Sequence, residues 1–263
     1  MVDFINKLIK FPKKNLIIRP TLYLYKSDNS QIILSEDINN SNNKYCLKII
    51  FSQFNNNYQL SSINTEIFLL QKMRQEENIV HLIDYITTTQ NNYIFYLLLM
   101  EYCQYKTLYD LLKENYNNKQ ILNDSLIYSY IYQIALGIKS IHKNGYCHRD
   151  LRPENILFKE KDKLVICDFG SATNQFYSSI ENQKNLTNNL LLEISNKTSL
   201  FYRPPEEILI YSGYPLTEKV DIYNLGIILF MILLTYIPSL KDKYPYFFLL
   251  TSKKIKYEIV QEI

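Results

Sequence analysis

The feature that most limits how this chain can fold is a change of pattern near Tyr102–Lys106. Before that point the sequence contains short β-type runs, separated by polar Asn, Ser and Asp segments typical of turns: Leu16–Ile18, Gln31–Leu34, Tyr45–Phe51 and Tyr93–Met100. One segment among them, Ile63–Met73, has apolar residues at helical spacing. From Leu108 onward the helical period dominates, as in Ser125–His142. We therefore predict an α+β chain with a small β-rich half containing one helix and a larger α-helical half.

The composition supports a folded chain and argues against two classes of partner. Hydrophobic residues make up 47% of the 263 residues, which is enough for a substantial core. The 29 basic and 26 acidic residues form no basic block, so we expect no nucleic-acid partner. The most apolar run, Leu225–Leu234, is about half as long as a membrane span requires. It predicts a core helix, and we expect no transmembrane segment.

The cysteines and the N-terminus bear on the compartment. The cysteines are widely spaced and form no C-x-x-C pair: Cys46, Cys103, Cys147 and Cys167. This spacing favours reduced thiols in a cytoplasmic protein over a disulfide framework or a zinc site. About the first 15 residues lack the uninterrupted apolar core of a secretory signal, and we expect them to form a leader.

The strongest chemical signal is the segment His148-Arg149-Asp150-Leu151-Arg152-Pro153-Glu154-Asn155. An aspartate such as Asp150 can accept or orient the proton of an attacking hydroxyl, and an asparagine five residues later can turn inward to hold a magnesium ion. The alternative is a polar surface loop after a helix.

A second signal lies eighteen residues after Asp150, where the triplet Asp168-Phe169-Gly170 follows the apolar run Leu164–Cys167. The run predicts a strand that delivers Asp168 into a turn that glycine permits. Asp168 would bind the magnesium ion that bridges the β- and γ-phosphates of a nucleotide. The triplet alone also suits an ordinary turn, but its position after Asp150 favours the metal-binding interpretation.

Upstream, Tyr45-Cys46-Leu47-Lys48 ends a β-type run, and Glu66 lies on the helix predicted next. A lysine and a glutamate so placed can form an ion pair that holds the lysine against the α- and β-phosphates. Taken separately, each is more often a solvated surface charge. Their order before the Asp150 segment favours the pair.

Together these motifs resemble the protein kinase superfamily, over most of the chain from about Leu16 to Pro238. The resemblance implies a bilobal α+β fold with an N-lobe over residues 1–103 and a C-lobe over residues 104–263. It implies ATP and Mg²⁺ as cofactors and a protein Ser or Thr hydroxyl as acceptor. Three segments resemble the Numb-associated (adaptor-associated and cyclin-G-associated) kinases, which implies endocytic adaptor partners: Cys167–Thr173, Tyr202–Glu206 and Ile210–Gly213.

The resemblance also implies roles for individual residues. The implied catalytic residues are Asp150, Lys48, Glu66, Arg152, Asn155, Asp168 and Ser199, of which Asn155 and Asp168 hold the metal. The implied nucleotide-contacting residues, besides Lys48, are Cys46, Met100 as gatekeeper, Glu101, Cys103 and Leu157. Asp221 would anchor the catalytic loop, and a hydrophobic spine would comprise Leu70, His148 and Phe169.

Two residues of the Asp150 segment bear on the acceptor. Pro153 and Glu154 point to Ser/Thr specificity, because tyrosine kinases usually carry small residues there. Arg152 stands where Ser/Thr kinases normally have lysine, and it keeps the charge with a bulkier, forked group.

The sequence departs from the family at two places. No glycine precedes Gly137, so the glycine-rich phosphate loop is missing, and its turn corresponds to Lys26–Gln31. We expect weaker ATP binding as a result. Only 57 residues follow Glu206 and no arginine follows Arg203, so the C-lobe looks truncated or degenerate. An apolar patch at Tyr244–Leu250 would then be exposed.

Two functions remain open from the sequence. The complete set of transfer residues favours an active, Mg²⁺-dependent Ser/Thr kinase. The missing glycines and the short C-lobe favour a pseudokinase or truncated kinase that acts as a binding or scaffold module.

Overall fold

The chain forms two compact units in the computed structural model, which describes residues 3–177, 184–208 and 214–236. The first unit comprises residues 1–105 and 157–172, and the second comprises residues 106–156 and 173–263. The boundary predicted from the sequence at residue 103 lies close to residue 105, where the chain first passes from the first unit to the second. Leu157–Ala172, however, belongs to the first unit, because Ile166 forms a parallel bridge with Ile79 and exchanges backbone hydrogen bonds with Asn78 and Val80.

The first unit is built on a six-stranded antiparallel sheet with the order β1-β2-β3-β4-β6-β5. These strands are β1 (Ile9–Phe11), β2 (Leu16–Lys26), β3 (Ser30–Asp37), β4 (Lys44–Gln53), β5 (Leu82–Gln90) and β6 (Tyr93–Glu101). Helix α1 (Asn57–Lys72) follows β4 in the sequence. A separate two-stranded sheet pairs β7 (Ile156–Glu160) with β8 (Lys163–Ile166).

One face of the large sheet carries the core of the first unit. Strand β3 alternates residue by residue between buried and half-buried positions, as expected when only one face packs on a core. The core cluster on the buried face comprises Ile9, Phe11, Ile18, Ile33, Leu47, Ile49, Phe95, Leu97 and Leu99. The other face of β3 and β4 carries Lys48 together with apolar side chains such as Ile32 and Ile50.

The N-terminal residues differ from the expected leader. Ile9–Phe11 pairs antiparallel with Leu16–Ile18 as strand β1, and Phe11 is fully buried in the core cluster. Phe4 packs near Phe95, with ring centroids 6.1 Å apart. The run is too short to stand out as a strand in the sequence, and its burial depends on β2 and β6.

The second unit is helical. Its helices are α2 (Leu108–Asn118), α3 (Asp124–Lys143), α4 (Lys184–Lys197), the short α5 (Pro205–Ile208) and α6 (Lys219–Tyr236). Local chemistry marks their starts: Thr107 and Asp110 form a capping box for α2, and Asn123 accepts the Leu126 N–H to cap α3.

Helices α3 and α6 confirm the two helical segments predicted at Ser125–His142 and Leu225–Leu234. None of the helices that the structure describes has the length and apolar character needed to cross a bilayer. The segments Ile210–Gly213 and Tyr244–Leu250 lie outside the described residues.

Candidate active site

Lys48 joins two carboxylates within the first unit. Its Nζ lies 2.6 Å from Glu66 Oε1, on α1, and 2.7 Å from Asp168 Oδ1. Burial opposes the charge on Lys48, but the two carboxylates outweigh it and raise the pKa of the ammonium group. Lys48 is therefore a fixed cation, and the ion pair expected between Lys48 and Glu66 is present.

In the turn after β8, the residue with an unfavourable backbone conformation is Asp168. The φ angle of Asp168 is 65°, whereas Gly170 is not left-handed. The expectation that glycine permits this turn is therefore wrong, because the left-handed residue is Asp168. The Asp168 side chain is 50% exposed, so its carboxylate contacts Lys48 and also reaches solvent. Phe169 and Leu70, two expected spine residues, are both buried.

The residues expected to contact adenine all belong to the first unit. Cys46 and Met100 are direct partners across β4 and β6, while Leu157 lies on β7 and Cys103 shortly follows β6. Burial raises the pKa of Cys46 to about 11 and that of Cys103 to about 12. Both thiols are therefore neutral near pH 7 and provide an apolar lining suited to a base.

The side chain of Glu101 is already occupied. Its carboxylate accepts hydrogen bonds from Lys159 Nζ at 2.6 Å and from the His81 N–H at 2.9 Å. The Glu101 N–H donates to the His81 carbonyl. Of its backbone groups, the carbonyl is thus the one that Glu101 can offer to an adenine amino group.

The β2–β3 hairpin corresponds to the missing glycine-rich loop. None of its residues from Lys26 to Gln31 has a left-handed φ, so the backbone of this turn does not require glycine. The register pairs Ile32 with Lys48, which places both side chains on the same face of the sheet with Cβ atoms about 5 Å apart. Gln31 is buried on the opposite face. The side chain that stands over Lys48 is therefore that of Ile32.

Asp150 is held by a network in the second unit. Asp150 Oδ1 accepts the Ser199 hydroxyl at 2.9 Å and the Ser199 N–H at 3.1 Å. The Asn155 amide donates to the Asp150 carbonyl at 2.8 Å and to Oδ2 at 3.2 Å. Arg152 donates to the Ser199 hydroxyl at 2.6 Å and pairs with Glu154 at 3.1 Å. These contacts orient a carboxylate that could accept a proton from a bound hydroxyl.

Asp221, at the start of α6, holds the backbone that carries Asp150. Its carboxylate accepts the His148 N–H at 2.8 Å, the Arg149 N–H at 2.9 Å and His142 Nε2 at 2.8 Å. The φ angle of Arg149 is 67°, a left-handed conformation that costs free energy for a non-glycine residue. The fully buried Asp221 therefore satisfies the donors of a strained loop.

The Arg149 side chain is enclosed by two carboxylates. Its Nη1 lies 2.7 Å from Glu193 Oε1, on α4, and its Nε lies 3.7 Å from Glu207 Oε1. Burial raises the pKa of Glu207 to about 7, although Arg149 acts in the opposite direction. Within the described part of the chain, Glu207 Oε2 has no hydrogen-bond partner, and it lines a small cavity with Cys147 and Leu216.

A sequence model of the protein kinase domain matches residues 33–257. The chain belongs to the protein kinase family. As a kinase domain it has an α+β bilobal fold, with Lys48 and Asp168 in the first unit and Asp150 in the second. The resemblance inferred from the motifs is thereby confirmed at the level of the superfamily.

Curated relatives of this kinase domain include proteins named as serine/threonine kinases. A probable serine/threonine-protein kinase of Dictyostelium discoideum is 31% identical over 218 residues, which is 81% of this chain and 19% of the relative. Serine/threonine-protein kinase sel-5 of Caenorhabditis elegans is 31% identical over 75% of this chain and 18% of its own length. Actin-regulating kinase PRK1 of Saccharomyces cerevisiae is 30% identical over 66% of this chain and 21% of its own length. The chain thus spans about a fifth of the length of these relatives.

The residues of this kinase domain fit a magnesium ion bound together with phosphates. Among the described residues, no group of three or more His, Cys, Asp or Glu forms a metal site by itself. Mg²⁺ usually takes only one or two protein oxygens and completes its shell with phosphate and water. Asp168 offers a half-exposed carboxylate, and Asn155 donates through its nitrogen, which leaves the amide oxygen for a ligand.

Sequence reasoning missed three residues of the kinase domain that the structure makes prominent. Glu193 and Glu207 pair with Arg149, and Ile32 stands beside Lys48. No motif marks the two glutamates, since their pairing depends on how α4 and α5 pack. The face of the sheet on which the Ile32 side chain lies follows from the register between β3 and β4.

Proposed function

We propose that this chain is a Mg²⁺-dependent protein serine/threonine kinase, which transfers the γ-phosphoryl group of ATP to a protein hydroxyl. The observation that carries this proposal is the position of Lys48 between Glu66 and Asp168. A buried lysine that bridges a helix carboxylate and a half-exposed aspartate is arranged to meet phosphate and metal together.

In the first unit, the chain's own residues bind and orient the nucleotide. Lys48 neutralises charge on the α- and β-phosphates, and Glu66 keeps its ammonium group in place. The Glu101 carbonyl and the Cys103 N–H pair with the adenine edge, beside the neutral thiol of Cys46. Asp168 would hold Mg²⁺, which when bound supplies positive charge to the transferring phosphoryl group, and the Asn155 amide carries an oxygen suited to the same ion.

In the second unit, Asp150 orients the acceptor hydroxyl and receives its proton. Ser199 fixes one carboxylate oxygen, and Asn155 fixes the other. Arg152 donates to the same Ser199 hydroxyl that bonds Asp150, so its positive charge lies close to the Asp150 carboxylate. A small serine or threonine hydroxyl is the acceptor we propose, in keeping with Pro153 and Glu154.

The finer proposal is that the substrates are endocytic, such as clathrin adaptors, in the cytoplasm. It rests on the likeness of Cys167–Thr173 and Tyr202–Glu206 to the Numb-associated kinases. It is tested by comparing phosphorylation of a purified clathrin-adaptor subunit with that of a generic basic protein. A rate on the adaptor no higher than on the generic protein would remove this substrate class and leave the kinase proposal intact.

A pseudokinase is the second candidate, and Ile32 is the observation that favours it. A β-branched side chain beside Lys48 has restricted rotamers and would crowd phosphates bound by that lysine. In that case the chain would bind partners and transfer little or no phosphate.

The deciding experiment measures ³²P transfer from ATP to a protein substrate, with and without Mg²⁺. The unmodified chain is compared with Asp168→Asn and Asp150→Asn, which keep the size of each side chain. We expect Mg²⁺-dependent transfer that each substitution lowers by orders of magnitude. ATP binding without transfer above the Asp168→Asn control would replace this proposal with the pseudokinase.

A further inference from the structure

Helix α1 reaches the turn at Asp168 through a second residue, Ser62. Ser62 precedes Glu66 by one helical turn, so both side chains lie on the same face of α1. Glu66 accepts the Lys48 ammonium group, and the Ser62 hydroxyl donates to the Gly170 carbonyl. One helix face thus contacts both Lys48 and the backbone of the metal-binding turn.

The choice of acceptor sets Ser62 apart from an ordinary helical serine. A serine inside a helix commonly donates to the carbonyl one turn earlier on its own helix. The Ser62 hydroxyl donates to a residue 108 positions away in the sequence. Its neighbour Ser61 is exposed. Ser62 therefore makes a tertiary contact that the adjacent serine does not make.

The turn that Ser62 contacts needs support. Asp168 has a φ of 65°, and such a residue persists only where surrounding contacts impose its conformation. The Lys48–Asp168 ion pair and the hydrogen bond from the Ala172 N–H to the Phe169 carbonyl both hold the turn. The Ser62 hydroxyl adds a contact from helix α1.

We propose that Ser62 is a positioning residue for metal binding: its hydroxyl holds the Gly170 carbonyl and so keeps the Asp168 carboxylate in the orientation that receives Mg²⁺–nucleotide. This inference rests on the proposed kinase function. It assigns Ser62 no contact with substrate and no part in the chemical step.

The test compares Ser62→Thr with Ser62→Val in the full chain. These variants have nearly the same shape and differ in the hydroxyl group. Ser61→Ala is the matched control on the same helix. Two quantities are measured: the hydrogen–deuterium exchange rate of amides 168–172, and the Mg²⁺ concentration that gives half-maximal binding of a fluorescent ATP analogue.

We expect Ser62→Val to exchange these amides about three- to tenfold faster than Ser62→Thr and to need about three- to tenfold more Mg²⁺. Ser62→Thr and Ser61→Ala should match the unmodified chain. Equal exchange in the Thr and Val variants would overturn the role of the hydroxyl. Faster exchange in Ser62→Val with an unchanged Mg²⁺ requirement would overturn the link to the metal. If the unmodified chain binds no nucleotide, the kinase proposal fails, while the exchange measurement still decides whether the hydroxyl holds the turn.

Discussion

Arg149 Nη1 and Glu193 Oε1 lie 2.7 Å apart and connect the segment that carries Asp150 to helix α4. Both side chains are largely buried: 7% of the Arg149 side chain and 18% of the Glu193 side chain are exposed. Removing one partner of a buried ion pair leaves the other charge without compensation, although here Glu207 remains nearby.

We therefore expect Glu193→Gln to lower the free energy of unfolding by about 1–3 kcal/mol, as measured by urea denaturation. Glu160→Gln is the matched control, since it removes the same charge from an exposed position at the end of β7. Equal losses in the two variants would show that the pair with Arg149 contributes nothing.

The raised pKa of Glu207 predicts a dependence of stability on pH. The ordinary pKa of this group is 4.5, and burial raises it to about 7 in the folded state. The folded state therefore binds this proton more tightly, so its contribution to stability is present below pH 4.5 and is lost as the pH rises towards 7. The amide introduced by Glu207→Gln does not titrate, so the variant lacks this dependence on pH.

The difference in Tm between Glu207→Gln and the unmodified chain should therefore favour the variant more at pH 8 than at pH 5. In free energy of unfolding, the change in this difference between the two pH values corresponds to roughly 2–3 kcal/mol. Glu206→Gln, at the neighbouring half-buried position, is the matched control. Thermal melts at both pH values measure the difference. A relative Tm for Glu207→Gln that does not change with pH would contradict the assignment.

Ile32 predicts how nucleotide affinity can be restored. The missing glycines belong to the turn Lys26–Gln31, whereas the register places Ile32 beside Lys48. Ile32→Ala removes bulk from that face, and we expect it to lower the KM for ATP about two- to tenfold. Gln31→Gly adds backbone freedom while its position faces the core, and it should not lower the KM. A larger fall in Gln31→Gly than in Ile32→Ala would show that flexibility, and not bulk, limits binding.

The N-terminal strand should be needed for stability. Phe11 is fully buried in the core of the first unit, while Leu8 is 59% exposed. Truncating a buried phenylalanine removes apolar burial and leaves a cavity, so Phe11→Ala should cost about 3–5 kcal/mol. Leu8→Ala should cost less than about 1 kcal/mol. Urea denaturation of both variants checks this, and a similar small loss in each would restore the interpretation of these residues as a leader.

The local pattern of apolar and polar residues was enough to predict several helices and strands of the fold. The helical period of Ser125–His142 predicted α3 to within one residue at each end, because its apolar face and its cap are both local. The β-type run Tyr45–Phe51 predicted the middle of β4 for a similar reason. Strand β1 was missed, since a run of only three residues becomes a strand only when β2 supplies hydrogen bonds.

The sequence by itself determined the order Lys48, Glu66, Asp150, Asn155 and Asp168, and the proposed contacts with phosphate, metal and hydroxyl rest on that order. Tertiary structure alone decided which groups hold those residues in place. The partner of Arg149, the face of Ile32 and the acceptor of the Ser62 hydroxyl depend on strand register and on contacts between distant segments. Such contacts leave no periodic trace in the sequence, since their geometry exists only after the chain has folded.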